Sequence, residues 1–206
     1  RMGIMRFFSF ILTFLLCSLS LLQAQDLATD KKSERYFDEG QAYFQNENYL
    51  LAAREFDKIG ERKFNRLTTP SLLLSGISYL KANDIVNAEM RFNELLSSYP
   101  ASIYRDDAMY HRGLVLLRDV KHRIEGMDVL LDVYEDTNDP DLRQYAEDRI
   151  KNFLYKEADL YFLRHYYRRV RSSYRLPVLE ALCYKLDKTG KREEALRFVK
   201  AFKAAG

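Results

Sequence analysis

Tryptophan is absent from this 206-residue sequence, cysteine occurs twice, proline four times, glycine eight times and histidine three times. Two cysteines cannot staple a disulfide scaffold. So little glycine and proline excludes a collagen-like or linker-rich chain and argues against a many-turned β protein. His111, His122 and His165 lie far apart, at no metal-ligand spacing with one another, with cysteine or with clustered carboxylates. There is no glycine-rich phosphate loop and no nucleophile elbow. Ser78–Lys81 matches S-x-x-K and Lys188-Thr189-Gly190 matches K-T-G, both known from penicillin-recognising enzymes, but each falls within a helix pair and not beside a strand. Asp106-Asp107 and Glu135-Asp136 are neighbours that point about 100° apart on a helix, so neither pair converges on a shared proton or metal. No catalytic residue, metal, cofactor or small-molecule substrate is therefore expected. A formal net charge of +3 is too mild for a dedicated nucleic-acid binder, and no nucleic-acid partner is expected either.

What is present is apolar and charged. Hydrophobic residues make up 47% and charged residues 31%, enough to bury a core over most of the length. Arg1 and Arg6 precede an almost unbroken apolar run from Phe7 to Leu22, which Gln23-Ala24-Gln25 ends before the charged stretch from Asp26. That order predicts a secretory signal over residues 1–24, cleaved after Ala24 with Leu22 at −3. Sixteen residues span only about 24 Å as a helix, short of the roughly 30 Å hydrocarbon core. Cys17 follows Leu16 and precedes more apolar residues, unlike a lipid-modified cysteine. An exported chain, periplasmic or associated with an outer membrane, is the expectation, and its one remaining cysteine, Cys183, has no partner to pair with.

Residues 25–206 carry an internal repeat. Gly40 and Gly76 are each followed by a tyrosine at +3 (Tyr43, Tyr79), an alanine at +12 (Ala52, Ala88) and a phenylalanine at +16 (Phe56, Phe92). A third block has Gly113 and Leu116, then slips by one, with Gly126 at the alanine position and Leu130 after it. Near the C-terminus Cys183 takes the glycine position and Ala195 follows at +12, so a small side chain where two helices approach explains the cysteine without chemistry. The four prolines fall between blocks; Thr69-Pro70 and Asp139-Pro140 read as an N-cap followed by a first helical residue. Asn83-Asp84 and Thr189-Gly190 read as turns within pairs. The pairs are expected at about 30–60, 69–98, 102–135, 140–172 and 176–204, each amphipathic and stacked on the next.

This pattern of glycine, tyrosine, alanine, phenylalanine and proline resembles the tetratricopeptide repeat, with Tyr36, Leu72, Met109 and Leu179 where that family has tryptophan. The resemblance is weakest over 141–174, where the glycine and alanine are missing. It implies an all-α fold, a right-handed α-solenoid of about five helix–turn–helix pairs behind a signal peptide. It also implies a non-enzymatic scaffold that binds proteins. Within the family, five repeats behind an export signal are similar to the repeat component of outer-membrane barrel assembly and to the repeat protein that accompanies the Tol–Pal machinery. The first of these is lipid-anchored, a feature for which Cys17 offers no lipobox.

The near-neutral total hides a split. Residues 25–140 hold 15 basic and 21 acidic groups, whereas residues 141–206 hold 16 basic and 9 acidic groups. Leu160, Leu163, Tyr167, Val170 and Tyr174 recur at helical spacing and predict one helix with a buried stripe. Arg164, Arg168, Arg171 and Arg175 follow one residue behind as a continuous cationic ridge, with Arg169 and His165 nearby and Tyr166 on the more exposed side. These arginines and Tyr166 are the candidate partner-binding residues. The ridge fits an acidic or envelope-associated protein, or alternatively anionic lipid at an envelope surface. Its plainest role is a solvated face whose arginine stems cover apolar surface.

Overall fold

The structure is a computed structural model that describes residues 30–62 and 64–205. The export signal expected over residues 1–24 lies outside the described residues. Within them every regular element is helical and none is a strand. In chain order they are α1 (Lys31–Gln45), α2 (Tyr49–Gly60), α3 (Thr68–Lys81), α4 (Ile85–Ser98), α5 (Arg105–Arg118), α6 (Arg123–Asp136) and α7 (Pro140–Asn152). A π-helical turn (Phe153–Glu157), α8 (Leu160–Arg169), a 3₁₀ turn (Ser172–Tyr174), α9 (Arg175–Lys188) and α10 (Arg192–Ala205) complete the chain.

Three of the bends within helix pairs share one backbone solution. Asn48 N–H donates to the Tyr43 carbonyl at 2.9 Å, Asp84 N–H to that of Tyr79 at 2.9 Å, and Lys191 N–H to that of Leu186 at 2.8 Å. This six-to-one bond closes a helix C-terminus when the residue before the donor is left-handed. Those residues are Glu47 (φ 60°), Asn83 (φ 62°) and Gly190 (φ 74°), each seven positions after Gly40, Gly76 or Cys183. The residue at +3 thus supplies the carbonyl that ends its own helix.

The glycines mark where the second helix of a pair crosses the first. A methyl carbon on Gly40 would lie 2.7 Å from the Phe56 ring, and one on Gly76 would lie 2.5 Å from the Phe92 ring. On Gly113 it would lie 2.8 Å from Leu130, one residue later along the chain, which is the slip visible in the sequence. There the backbones also approach: a carbon on Gly126 would sit 3.0 Å from the Leu117 nitrogen and 3.1 Å from the Gly113 oxygen, so an alanine would require the facing backbone to give. Ala52 and Ala88 are fully buried at the corresponding positions of the first two pairs. Cys183 Sγ lies 3.8 Å from the Ala195 carbonyl oxygen, and burial raises its thiol pKa.

Four helices start at acidic caps, Asp30, Asp84, Asp139 and Asp159. Asp139 Oδ1 accepts from Asp141 N–H at 2.9 Å and Leu142 N–H at 3.2 Å, with Pro140 as first helical residue. Thr69 is not a cap: α3 begins one residue earlier, at Thr68, after Leu67. Buried Asn65 sets that start instead, its Oδ1 accepting from Leu67 N–H at 2.9 Å while Thr68 Oγ1 accepts from Asn65 N–H at 3.0 Å.

The chain divides into two compact units, with the boundary between Ala108 and Met109 inside α5. In the first unit α1 packs on α2, α2 on α3 and α3 on α4. One carboxylate ties three of these helices. Asp57 on α2 accepts from Ser75 Oγ (2.5 Å) and Tyr79 OH (2.7 Å) on α3, and from Arg91 Nε (2.8 Å) and Nη2 (3.1 Å) on α4. Burial, then Asp57, pushes the Tyr79 phenol up to about 12. In the second unit α6 packs on α7, and α9 packs on α8, on α10 and on the π turn. Met127, Leu130, Ile150, Phe153, Leu163 and Tyr166 lie at the centre of its core.

Glutamate is a poor occupant of a left-handed position, which costs a side chain about 1–2 kcal/mol, partly offset in glycine by its greater unfolded freedom. Glu47→Gly is expected to stabilise the chain by about 0.5–1 kcal/mol in urea unfolding.

Candidate functional site

The segment expected to form the cationic ridge is not one helix. Asp159 Oδ1 caps α8 by accepting from Phe162 N–H at 2.7 Å, and α8 ends at Arg169. Val170 is extended, with ψ 144°, and the 3₁₀ turn then leads to α9. Arg164 and Arg168 therefore belong to α8, Arg171 to the connection and Arg175 to α9. The ridge is broken where it was expected to be continuous. The face expected for Tyr166 is also corrected: its side chain is fully buried, and its hydroxyl donates to Asp128 Oδ1 at 2.9 Å. Spacings of three and four fit 160-163-167 and 162-166-170 alike. Phe162 decides between them, packing edge-on against Phe153 at 5.1 Å and stacking on Tyr166 at 5.2 Å. Burial, with Asp128 beside it, drives the Tyr166 phenol well above its ordinary pKa.

Three of the five candidate arginines are matched inside the second unit. Arg164 forks onto Glu194 of α10, with Nε–Oε1 2.8 Å and Nη2–Oε2 3.0 Å, and holds that carboxyl below its usual range. Arg171 bridges Asp132 and Glu135 of α6 at 2.5 Å each, and Ser173 Oγ donates to the same Glu135 at 2.9 Å. Arg169 lies 3.6 Å from Asp128. Asp128, Asp132 and Glu135 follow at spacings of four and three, so one face of α6 presents a row of acid to the α8–α9 connection. Arg168 is exposed and has no ion pair among the described residues, and Arg175 is half-buried with an unbonded Nε.

The same break opens a groove of about 700 Å³ in the second unit. Tyr134 and Glu135 come from α6, Glu147 and Lys151 from α7, Leu154 and Tyr155 from the π turn, Ser173 and Tyr174 from the 3₁₀ turn, and Pro177 and Glu180 from α9. The π turn is closed by Ala158 N–H donating to the Phe153 carbonyl at 2.7 Å. Its conformation is held by Glu157, which folds back onto Arg149 (2.5 and 3.1 Å) and Asn152 (2.9 Å). Arg149 in turn keeps the Glu157 carboxyl below its ordinary pKa. A π turn inserts an extra residue and re-aims the side chains after it, and such turns are frequent at functional sites. Here it brings Leu154 and Tyr155 to the groove wall.

Tyr134 and Tyr174 meet edge-on at 6.0 Å, and Tyr155 packs edge-on against Tyr184 at 5.6 Å. Burial first, then nearby glutamates, raises the phenols of Tyr174 (Glu147) and Tyr155 (Glu180). Glu147 pairs with Lys151 at 2.6 Å, whereas Glu180 has no ion pair among the described residues. Among those residues no group of three or more His, Cys, Asp or Glu side chains is arranged to hold a metal, and no helix is long and apolar enough to cross a membrane.

Family models and curated protein sequences contain no match to this chain. The groove residues escape a reading that runs one helix from Leu160 to Tyr174. The signals for a break were local: Val170 ahead of Arg171-Ser172-Ser173, and Pro177, which suits only the first turn of a new helix.

Reversing Arg171 would set three like charges together. Arg171→Glu is expected to cost about 1–2 kcal/mol in urea unfolding, whereas Arg168→Glu should stay within about 0.5 kcal/mol.

Proposed function

We propose that the chain is a non-enzymatic, tetratricopeptide-like scaffold of the cell envelope that binds protein partners through the groove of its second unit. The groove is the observation that carries this reading: about 700 Å³, walled by tyrosines, at a point where the helical repeat is interrupted by a π turn and a 3₁₀ turn. Its volume falls within the usual range for ligand pockets. The tetratricopeptide likeness is supported by the seams, in which Gly40 meets Phe56 and Gly76 meets Phe92 at one offset, and by the turn geometry they share. A right-handed superhelix follows from that likeness. Placement in the envelope follows from the Arg1, Arg6 and Phe7–Leu22 pattern, and outer-membrane protein assembly or envelope maintenance are the processes the likeness suggests. The ridge reading, with anionic lipid or an acidic protein as partner, has less to draw on, because Arg164, Arg169 and Arg171 already face carboxylates.

Site-specific photocrosslinking tests this. With benzoylphenylalanine at Tyr155, irradiated intact cells should yield discrete protein adducts. The same probe at Arg168 should yield none above background. Adducts at position 168 with none at 155 would return the binding surface to the arginine face.

A further inference from the structure

Building on that scaffold reading, we infer that the groove takes a lysine or arginine side chain of a partner polypeptide. Three glutamates and one lysine line it, and two of the glutamates are already engaged, Glu135 by Arg171 and Ser173, and Glu147 by Lys151. Glu180, at the α9 wall, is the carboxylate left to meet an incoming cation. The tyrosine rings supply the second attraction, since a cation within about 6 Å of an aromatic face is drawn by its quadrupole. The protein uses that contact elsewhere: Lys188 Nζ lies 5.7 Å from the Tyr184 centroid, and Lys81 Nζ 5.2 Å from that of Tyr49.

Tyr174 supplies the third observation. It is only 6% exposed and lines the groove, yet its hydroxyl has no hydrogen-bond partner among the described residues. The oxygen is not itself buried, so it is open to the groove and to a donor that enters it. The phenol stays neutral, so its oxygen can accept from an ammonium or guanidinium. Pro177 offers apolar surface to the alkyl stem, which long basic side chains cover readily. The volume exceeds what a lone amine fills and leaves room for flanking backbone, which favours a polypeptide over a free diamine. An acidic segment would meet like charge here.

Fluorescence anisotropy with the full chain tests the inference. The probe is a fluorescein-labelled Ser/Gly octapeptide carrying two lysines. Matched peptides carry acetyl-lysine or glutamate, and 1,5-diaminopentane serves as competitor. Tyr174→Phe and Glu180→Gln should melt with the parent, since the hydroxyl is unbonded and Glu180 is exposed. The lysine peptide should bind, acetylation should weaken it at least about tenfold, and each variant should weaken it about three- to tenfold. Equal binding of the acetylated peptide, indifference to both variants, no binding of any peptide, or displacement by the diamine as effective as by peptide would overturn the inference. Adducts at Tyr155 in cells alongside charge-blind peptide binding would overturn the cationic ligand and leave the scaffold standing. Charge-dependent peptide binding without such adducts would support the groove chemistry and remove the cellular scaffold role.

Discussion

The structure rests on one close approach: a stretch of helix backbone bare of Cβ with a large side chain of the next helix laid across it. At Gly40 and Gly76 the side chain is phenylalanine, and at Gly113 it is leucine. Interiors pack at crystal-like density, so even one added carbon at such a crossing must displace a ring or tilt a helix. The rest of the pair is constrained by it. After the Gly40 and Gly76 crossings the first helix stops with a six-to-one bond around a left-handed residue, as it also does after Cys183, whereas α5 ends without one. Fully buried Ala52 and Ala88 hold the helices together one turn before each phenylalanine. Where the backbones come closer still, at α5 and α6, glycine replaces alanine.

Electrostatics in the second unit depends on distances that sequence position conceals. Arg171 is 39 residues from Asp132 and 36 from Glu135, yet it bonds to both. Acid from the negative stretch of the sequence thus meets base from the positive stretch. An arginine whose charge is compensated at close range projects little field toward a partner, and what remains is screened within about 10 Å at ordinary salt. Arg169 and Arg171 therefore serve first to hold the α8–α9 connection on α6. The wall of the groove, by contrast, is aromatic and carries three glutamates. The partner chemistry inferred for it is opposite in sign to that suggested by counting arginines.

Much of the fold was legible because it depends on local rules with residue-type signatures. The glycine–phenylalanine offset, the Asn83-Asp84 and Thr189-Gly190 turns and the Asp139-Pro140 cap are each readable without tertiary context. The groove was not. Its formation depends on Val170 leaving the helix and on a π turn at Phe153–Glu157, and neither has a strong composition signal. Tyr166 shows why periodicity was insufficient: its stripe and that of Tyr167 satisfy the same spacing, and the choice between them is made by Phe153 on a preceding element. Thr69 shows a smaller version, since Asn65 and Thr68 build the helix start through side-chain bonds that a cap-and-proline pattern does not reveal.

The most direct measurement is a double-mutant cycle at the seam, by urea unfolding of the parent, Gly76→Ala, Phe92→Leu and the combination. Gly76→Ala alone should cost about 1–3 kcal/mol through overpacking. In the combination the smaller leucine makes room for the added methyl, so the cost of the double variant should fall short of the sum of the single costs by at least about 0.5 kcal/mol. Gly40→Ala with Phe56→Leu should couple in the same direction. A Gly76→Ala chain as stable as the parent, or strictly additive costs at both seams, would contradict the claim that these crossings govern the fold.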